Sequence, residues 1–352
     1  MKTTRLKTIA FLLILFNFAA LAQTNQNQTL SMMLYQGADR EKILITEAKK
    51  EGSLNLYTSQ NPKDSTPIIE IFQKKYGIKV LMWRASGEKV IQRAVAEARA
   101  NRNTPDVFES DGIVLEALAR EKLLQEFYSP HFKYLPFNAF TKDRLYVADR
   151  FNFFTIAYNT NLVKADEVPN SYLELLEPKW AGKLGLEAED VDWFAAMVKD
   201  MGEKNGLNYF QRLKELKPQM RKGHSLMAEL VAAGEIPIAI SLYNHSVERL
   251  SLAGAPIRWK SLAPTFARIG AIGVSAAPPH PYAALLFVDF ILSKEGQELL
   301  KSRQRVPAST LVSSTMNNFN YKMIDPSTSL DESKKWEKIW TDLFINKSSR
   351  SP

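Results

Sequence analysis

Short apolar segments alternate with helical patterns along the first third of the chain, and this alternation restricts the possible folds more than any other feature. The strand-like segments are 54–58, 79–83 and 105–109, and the helical patterns cover 40–50, 67–76, 88–100 and 113–120. Strands that are each followed by a helix need crossover connections, which build a mostly parallel sheet. The sequence therefore predicts an α/β fold whose strands end at a common edge.

Polar residues follow each of these predicted strands and are candidate ligand contacts: Ser59, Asn61, Arg84 and Asp111. Open α/β sheets bind ligands at the carboxyl ends of their strands, so these side chains are expected to converge. The planar fork of Arg84 suits an anionic ligand group, or a simple ion pair with Glu88. Asp111 suits either a ligand contact or the N-cap of the following helix.

The stretch from Ile236 to His245 has the clearest strand pattern in the second half. Its β-branched apolar run indicates a buried strand, and it ends in Tyr243, Asn244 and His245. These three side chains can bind metal or donate and accept hydrogen bonds. We interpret them as a ligand-binding strand tip, with a capped strand end as the alternative.

Two long extended segments divide the chain into predicted lobes. The aromatic segment 144–159 and the glycine-bearing segment 268–275 have the pattern of strands that cross between lobes. They predict a discontinuous first lobe of residues 40–152 and 268–346, with a second lobe of residues 153–267 inserted into it. Each lobe is expected to contain a mixed, mostly parallel sheet flanked by helices, and the two crossing strands are expected to act as the hinge.

An acidic turn from Glu187 to Asp192 lies inside the predicted second lobe. Asp190 and Asp192 either face the cleft or are simply solvated, and Trp193 either lines the cleft or belongs to the core. If they face the cleft, these carboxylates would attract a cation, which Trp193, Tyr158 or Tyr243 could enclose through cation–π contacts. His224 begins the next helical pattern, where helix capping is the simplest role.

The first 22 residues have the pattern of a secretory signal. Lys2, Arg5 and Lys7 precede an apolar run that is shorter than the roughly 20 residues of a membrane span, and Ala20-Leu-Ala22 suits a cleavage site. Residues 23–39 are expected to be a flexible leader and residues 347–352 a disordered tail. The chain has no cysteine, which excludes disulfides, thiolate metal sites and a lipid-modified cysteine. The prediction is a periplasmic protein that is not a lipoprotein.

Several short motifs, in their order and spacing, resemble the extracellular solute-binding proteins of ABC transporters, and their ferric-iron-binding branch most closely. The motifs are Tyr57-Thr-Ser, Phe72-Gln-Lys-Lys-Tyr-Gly-Ile, Pro105-Asp-Val, Ala157-Tyr-Asn-Thr, Pro178-Lys-Trp-Ala-Gly-Lys, Gly234-Glu-Ile-Pro, and Ala283-Ala through Phe290 to Gly296-Gln. The resemblance covers roughly residues 51–309. It implies a two-lobed, Venus-flytrap receptor that encloses its ligand between the lobes and docks on a membrane permease.

The resemblance also implies a set of metal ligands. Iron-binding relatives use two adjacent tyrosines at the tip that matches Tyr243, a histidine from the first strand loop and a carboxylate from the third. Here Asn61 stands at the histidine position, and Asp111 or Glu109 offers the carboxylate. Relatives hold a synergistic anion with small residues of the second lobe, where this chain has acidic ones that would repel it. The implied metal ligands are Tyr243, His245 and Asp111.

The sequence thus predicts a non-catalytic receptor of an ABC importer, with ferric iron or an iron complex as the solute. A small organic cation or a phosphonate-type solute is the alternative. An exported enzyme on the same fold is a second alternative, although nucleophile turns, zinc-binding histidine pairs and phosphate-cradling loops are missing from the sequence. No resident cofactor is expected. A net charge of +8 without basic runs argues against nucleic acid as a partner, and the receptor is expected to act as a monomer.

Overall fold

A computed structural model describes residues 31–141 and 143–346 of the chain. The predicted signal, the first part of the predicted leader and the predicted tail lie outside these residues. Within the rest of the predicted leader, residues 31–39, part of the chain is buried. Met33 is only 1% exposed, and its carbonyl oxygen accepts a hydrogen bond from the Tyr128 amide over 2.8 Å. Burial of the Met32 and Met33 side chains fixes this segment against the protein.

Within the described residues, twelve strands form one mixed sheet. In chain order they are β1 Ser53–Thr58, β2 Lys79–Arg84, β3 Val107–Asp111, β4 Leu124–Gln125, β5 Val147–Asn159, β6 Leu184–Glu187, β7 Gln219–Arg221, β8 Ile238–Tyr243, β9 Ile257–Lys260, β10 Thr265–Ser275, β11 Val306–Pro307 and β12 Tyr321–Met323. The order across the sheet is β2-β1-β3-β10-β5-β8-β6-β7, with the short strands β4 and β12 paired to β10 and with β9 and β11 paired to β5. The predicted mixed α/β architecture is confirmed.

The two predicted crossing strands lie side by side at the centre of the sheet. β5 and β10 are antiparallel, and they join the parallel strands β1, β2 and β3 on one side to the parallel strands β6, β7 and β8 on the other. The sheet is therefore continuous, whereas the sequence suggested a separate sheet for each lobe.

Twelve α-helices cover the sheet in the part of the chain that the structure describes, apart from a helical turn at 31–33. They are α1 Arg40–Glu51, α2 Pro62–Tyr76, α3 Gly87–Arg99, α4 Gly112–Arg120, α5 Val191–Asp200, α6 Glu203–Glu215, α7 His224–Ala233, α8 Asn244–Leu252, α9 Pro281–Leu292, α10 Lys294–Ser302, α11 Pro326–Asp331 and α12 Ser333–Trp340. A π-helical turn, Thr341–Ile345, follows α12. Within residues 31–141 and 143–346, none of the helices combines the length and the apolar character needed to cross a membrane.

Local signals set several helix ends. The α1 helix ends at Gly52, which has the left-handed φ of 72° that glycine adopts without a steric penalty. The α2 helix begins about five residues before its predicted start, because the Asn61 side chain accepts a hydrogen bond from the Lys63 amide over 3.0 Å and Pro62 fits the first helical position.

Two large hydrophobic cores lie along the sheet. The first core draws its buried side chains from residues 32–153 and 267–316. The second core draws from residues 154–266 and also includes Ile324, Trp336 and Trp340. A smaller third core draws its buried side chains from residues 157–257. The boundaries of the lobes themselves stay a prediction.

The C-terminal helices differ from the sequence-based assignment. Residues 331–345 were expected in the first lobe, but the rings of Trp336 and Trp340 pack 5.8 and 5.2 Å from the ring of Phe194, in the second core. The Trp340 indole also donates to the Ala188 carbonyl oxygen over 2.8 Å. Burial of two tryptophans provides far more apolar area than a surface position on the first lobe would, so the chain returns to the second core.

Candidate functional site

A largely buried arginine connects the strand ends at the centre of the sheet. Arg268, on β10, donates from Nε to Asp192 over 2.7 Å and from Nη1 to the Tyr243 hydroxyl over 2.6 Å. Its Nη2 also contacts Asp192. Asp111 lies 3.6 Å from Nη1, and Asp190 lies 3.7 Å from Nη2. We call these five residues the Arg268 cluster; it contains three carboxylates and one phenol around one guanidinium.

The sheet topology explains why these residues meet. Tyr243 is the last residue of β8 and Asp111 the last of β3, and both strands end on the edge that Arg268 reaches from β10. Asp190 and Asp192 come from the turn that begins α5, after β6. Asp111 occupies the N-cap position of α4, but its side chain makes no capping hydrogen bond and faces Arg268. The strand-end rule therefore predicted the edge position of Tyr243 and Asp111, but not that of Asp190 and Asp192.

The Tyr243 phenol is neutral in this arrangement. Burial raises the pKa of Tyr243 well above its usual value, and the positive charge of Arg268 only partly opposes this effect. A phenolate would require a stronger positive charge beside the oxygen.

Tyr243 is the middle ring of an aromatic stack. The His224 ring lies 3.7 Å from the Tyr243 ring, centroid to centroid, and the His245 ring lies 5.3 Å away, both at 24°. His245 Nε2 is 2.6 Å from Arg305 Nη1. Burial, with the neighbouring charge of Arg305, keeps the pKa of His245 well below its usual value, so the ring is neutral. His245 therefore stacks on Tyr243 of the Arg268 cluster, while its Nε2 faces Arg305.

The remaining predicted ligand residues from the second half are occupied by structural contacts. The Asn244 amide donates to the Met316 carbonyl oxygen over 2.7 Å. Trp193 is fully buried in the second core beside Phe154, so its ring offers no face to a cleft in this conformation. Tyr158 packs on the same core. It lies on β5, four residues beyond Phe154, and Phe154 is the residue of β5 that pairs with Tyr243.

The first-half candidates lie at the ends of β1 and β2, as the register of Thr58 with Arg84 shows. The Ser59 hydroxyl is 2.6 Å from the Ser110 hydroxyl. The Asn61 amide caps α2 and approaches Ser225 of α7 at 3.5 Å. Arg84 is exposed and donates to the Ser59 carbonyl oxygen over 3.4 Å, so Glu88 is not its partner.

A cavity of about 520 Å³ adjoins the Arg268 cluster. Its walls come from α3 and α4 on one side and from α5, α11 and α12 on the other, and Asp111, Asp192 and Arg268 form part of its lining. Space of this size is in the range of small-molecule sites. The cluster is thus connected to a volume that a solute can enter.

A second buried charge network lies in the first core, beneath the strand ends. Arg150 Nη1 donates to Glu109 over 2.9 Å and to Asp149 over 2.7 Å, and all three side chains are buried. Burial raises the pKa of Glu109 to about 7, although the charge of Arg150 opposes the shift. Glu109 is therefore committed to Arg150 and does not reach the Arg268 cluster as its sequence position suggested.

The raised pKa of Glu109 predicts a stability that falls as the pH rises. Between its ordinary pKa of 4.5 and about 7 the folded protein holds a proton that the unfolded chain has lost. The free energy of unfolding should therefore decrease across this range, by about 1–3 kcal/mol from this group. Glu109→Gln should flatten the dependence of Tm on pH between 4.5 and 8, measured by circular dichroism. The exposed Glu235→Gln is the control, and equal slopes for wild type and Glu109→Gln would contradict the assignment.

Sequence reasoning did not identify Arg268 or Arg305 as site residues, and for His224 it favoured helix capping over anion binding at the helix N-terminus. A charged residue among the apolar residues of a central strand was the available signal for Arg268. For His224 and Arg305 the sequence carries no comparable signal, since their partners lie far away along the chain.

Comparison with known proteins agrees with this architecture. The family described as bacterial extracellular solute-binding protein matches residues 102–337. The major ferric iron-binding protein of Neisseria meningitidis is 26% identical over 283 residues, which cover 75% of this chain and 83% of that protein.

Two solved structures show the same fold. Iron-bound HitA from Pseudomonas aeruginosa superimposes with a TM-score of 0.72 at 20% identity, covering 83% of this chain and 99% of HitA. The periplasmic binding protein AfuA from Actinobacillus pleuropneumoniae, with exogenous fructose-6-phosphate bound, gives a TM-score of 0.73 at 22% identity, covering 84% of this chain and 100% of AfuA.

These neighbours are two-lobed periplasmic binding proteins, which confirms the predicted fold class. The family and its neighbours are solute-binding proteins, so the exported-enzyme alternative is not supported. Because the family match spans more than half of the sequence and the fold agrees with it, this chain belongs to the bacterial extracellular solute-binding proteins.

Proposed function

We propose that the protein is the periplasmic receptor of an ABC importer, that it binds ferric iron or an iron complex beside Tyr243, and that it delivers this cargo to a membrane permease as a monomer. The names of curated relatives, such as the major ferric iron-binding protein of Neisseria meningitidis, support iron as the cargo.

The observation that carries the proposal is the charge of the Arg268 cluster. Asp111, Asp190 and Asp192 bring three carboxylates towards Tyr243, and Arg268 is the positive charge that all three share. The three carboxylates carry more negative charge than Arg268 neutralises. Their hard oxygen atoms favour a hard cation. A phenol at the same point is the further ligand that ferric iron prefers.

Binding requires the Tyr243 proton to leave, since burial keeps the phenol neutral in the cation-free protein. The ion itself supplies the charge that makes the phenolate stable. The cation would take over the electrostatic role of the Arg268 guanidinium beside Tyr243 and Asp111.

The cluster draws on both halves of the sheet, which suits capture by closure. Asp111 comes from β3 and Tyr243 from β8, and further contacts join the two halves, including Asn61 with Ser225 and Asp64 with Arg249 over 3.4 Å. A cation held by ligands from both halves binds the closed form more tightly than the open form and shifts the population towards it.

The test is a titration of the purified protein with ferric citrate. We expect a visible phenolate-to-iron charge-transfer band, and Tyr243→Phe should abolish it and weaken binding by more than about tenfold. Tyr158→Phe is the matched control, because it removes the hydroxyl of a half-buried tyrosine on β5 that packs on the same core as Tyr243. Wild-type protein without the band, or a Tyr243→Phe variant that retains it, would rule out iron binding through Tyr243.

Small-angle scattering on the same samples tests closure. Saturating ferric citrate should reduce the radius of gyration of the wild-type protein, and unchanged dimensions would contradict the hinge mechanism.

A small organic cation is the second candidate, and the position of Arg268 favours it. The guanidinium carbon lies 5.0 Å from the Phe154 ring while Asp192 holds its nitrogen atoms, so the site already accommodates a planar cation. A phosphate or phosphonate would instead meet three carboxylates, which disfavours a solute such as the fructose-6-phosphate bound to AfuA. Native mass spectrometry of the purified protein would identify an organic cation by its mass.

A further inference from the structure

Two carboxylates and one imidazole lie together next to the Arg268 cluster. Glu187, Asp190 and His224 each offer one ligand atom, and these three atoms lie within 4.8 Å of one another. Glu187 ends β6, Asp190 precedes α5, and His224 begins α7. All three belong to the half of the sheet that contains β6, β7 and β8.

Unsatisfied polar atoms distinguish this group from an ordinary acidic turn. Asp190 is only 1% exposed, yet its Oδ2 has no hydrogen-bond partner, and the buried Nδ1 of His224 also lacks one. The other atom of each residue is engaged, because His224 Nε2 lies 3.2 Å from Asp190 Oδ1. A buried carboxylate oxygen without a partner is costly, and a bound ion is one of the few things that explains it.

The second carboxylate, that of Glu187, is held in place by two backbone amides. Glu187 accepts hydrogen bonds from the backbone amides of Gly223 and Glu189, each over 2.6 Å. The Gly223 amide precedes α7, so the positive end of that helix also stabilises the carboxylate. Each oxygen of Glu187 keeps a free lone pair, since an ionised carboxylate can accept about four hydrogen bonds.

We infer that Glu187, Asp190 and His224 form a binding site for one divalent first-row transition-metal cation. Zn²⁺ and its neighbours lie about 2.0–2.2 Å from imidazole nitrogen and carboxylate oxygen, so ligand atoms around one ion are up to roughly 4 Å apart. The three ligand atoms lie within 4.8 Å of one another, so only a small movement of the side chains would bring them around one ion. One nitrogen ligand with two oxygen ligands suits Zn²⁺, Co²⁺, Mn²⁺ or Fe²⁺, whereas Ca²⁺ and Mg²⁺ prefer oxygen ligands alone.

Asp190 and Glu187 place two carboxylates beside His224. A divalent cation would neutralise their charge and give Asp190 Oδ2 the partner that it lacks.

The site shares Asp190 with the proposed iron site, but the two proposals are tested separately. Its ligands are not those of the ferric site except for Asp190, and the Tyr243 hydroxyl is not among them. Cobalt binding is observed through its own d–d absorption, whereas ferric binding is observed through the phenolate band, so either proposal can fail while the other holds.

The experiment uses Co²⁺ as the probe, with full-length protein that has been dialysed against a chelator. We expect one Co²⁺ per chain and displacement by Zn²⁺, and we expect His224→Gln and Asp190→Asn each to weaken Co²⁺ binding by at least about tenfold. His280→Gln is the matched control, since His280 forms a similar pair with Asp106 over 2.9 Å. Wild-type protein that fails to bind Co²⁺, or a His224→Gln variant that binds as tightly as wild type, would overturn the inference.

A readout on the unmodified protein covers the case in which a variant does not fold. Paramagnetic Co²⁺ should shift the NMR signals of the His224 ring and leave those of His131 and His280 in place. Shifts confined to other histidines would also overturn the inference.

Discussion

Replacing Asp64 with alanine is expected to lower the free energy of unfolding by about 3–5 kcal/mol, the usual cost of removing one partner from a buried ion pair. Asp64 lies in the first turn of α2 and is 1% exposed. Its carboxylate lies 2.7 Å from Arg305 and 3.4 Å from Arg249. Without it, the buried guanidinium of Arg305 would have only neutral partners, Asn152 and His245.

The effect on Arg305 explains the size of this loss. Burial already lowers the pKa of Arg305, and Asp64 is the largest influence in the opposite direction. Asp64→Asn keeps the shape of the side chain but removes its charge, so it should cost nearly as much as alanine. Urea denaturation at pH 7 measures both variants. Asp342→Ala is the control, since its pair with Lys338 is exposed to solvent and should contribute little to stability. A loss below about 1 kcal/mol for Asp64→Ala would show that Arg305 does not depend on this charge.

Local patterns predicted the strands of five or more residues, which are β1, β2, β3, β5, β8 and β10, because the side-chain period and the polar residue after each apolar run are properties of a few neighbouring residues. This was sufficient to place Tyr243 and Asp111 on one edge of the sheet. It was also sufficient to identify the apolar face of the C-terminal helix, with Trp336 and Trp340. The shorter strands were not predicted.

Which core or strand each of these elements packs against depends on contacts that are distant in sequence. Such contacts were predicted poorly. The helical pattern of residues 331–345 does not show which core it will cover. Trp193 begins a helix next to acidic residues, so it resembles a cleft residue although it packs in the second core. Arg268 reaches Tyr243 and Asp111 only because β10 pairs with β3 and β5, and local sequence contains no information about that pairing.

Arg268 and Arg305 have a similar physical role, since each is a largely buried guanidinium that pairs with a carboxylate, Arg268 with Asp192 and Arg305 with Asp64. The two arginines differ in whether a cation from solution can take their place beside the carboxylates. Arg305 is enclosed by Asp64, Asn152 and His245, whereas Arg268 lines the cavity of about 520 Å³ and can be approached by a solute. A cation that enters this cavity competes with Arg268 for the same carboxylates. Removal of Arg268 should therefore lower the stability of the cation-free protein and raise its affinity for the cation.

Arg268→Met should destabilise the cation-free protein by about 3–5 kcal/mol and should strengthen binding of ferric iron by at least about tenfold. Methionine keeps an apolar stem against Phe154, but it leaves Asp192 and Asp190 without their guanidinium, so the charge must be supplied by protons or by the cargo. Thermal denaturation with and without ferric citrate, and competition against citrate, measure the two effects.

The matched control is Arg258→Met, which removes an exposed arginine from β9 and should change neither quantity. If Arg268 instead helps to hold the cargo, for example through an anion bound with it, Arg268→Met will bind iron more weakly than wild type. Iron will then fail to restore the lost stability. The sign of the change in affinity therefore decides whether this guanidinium competes with the cargo or recognises it, because the destabilisation of the cation-free protein is expected in both cases.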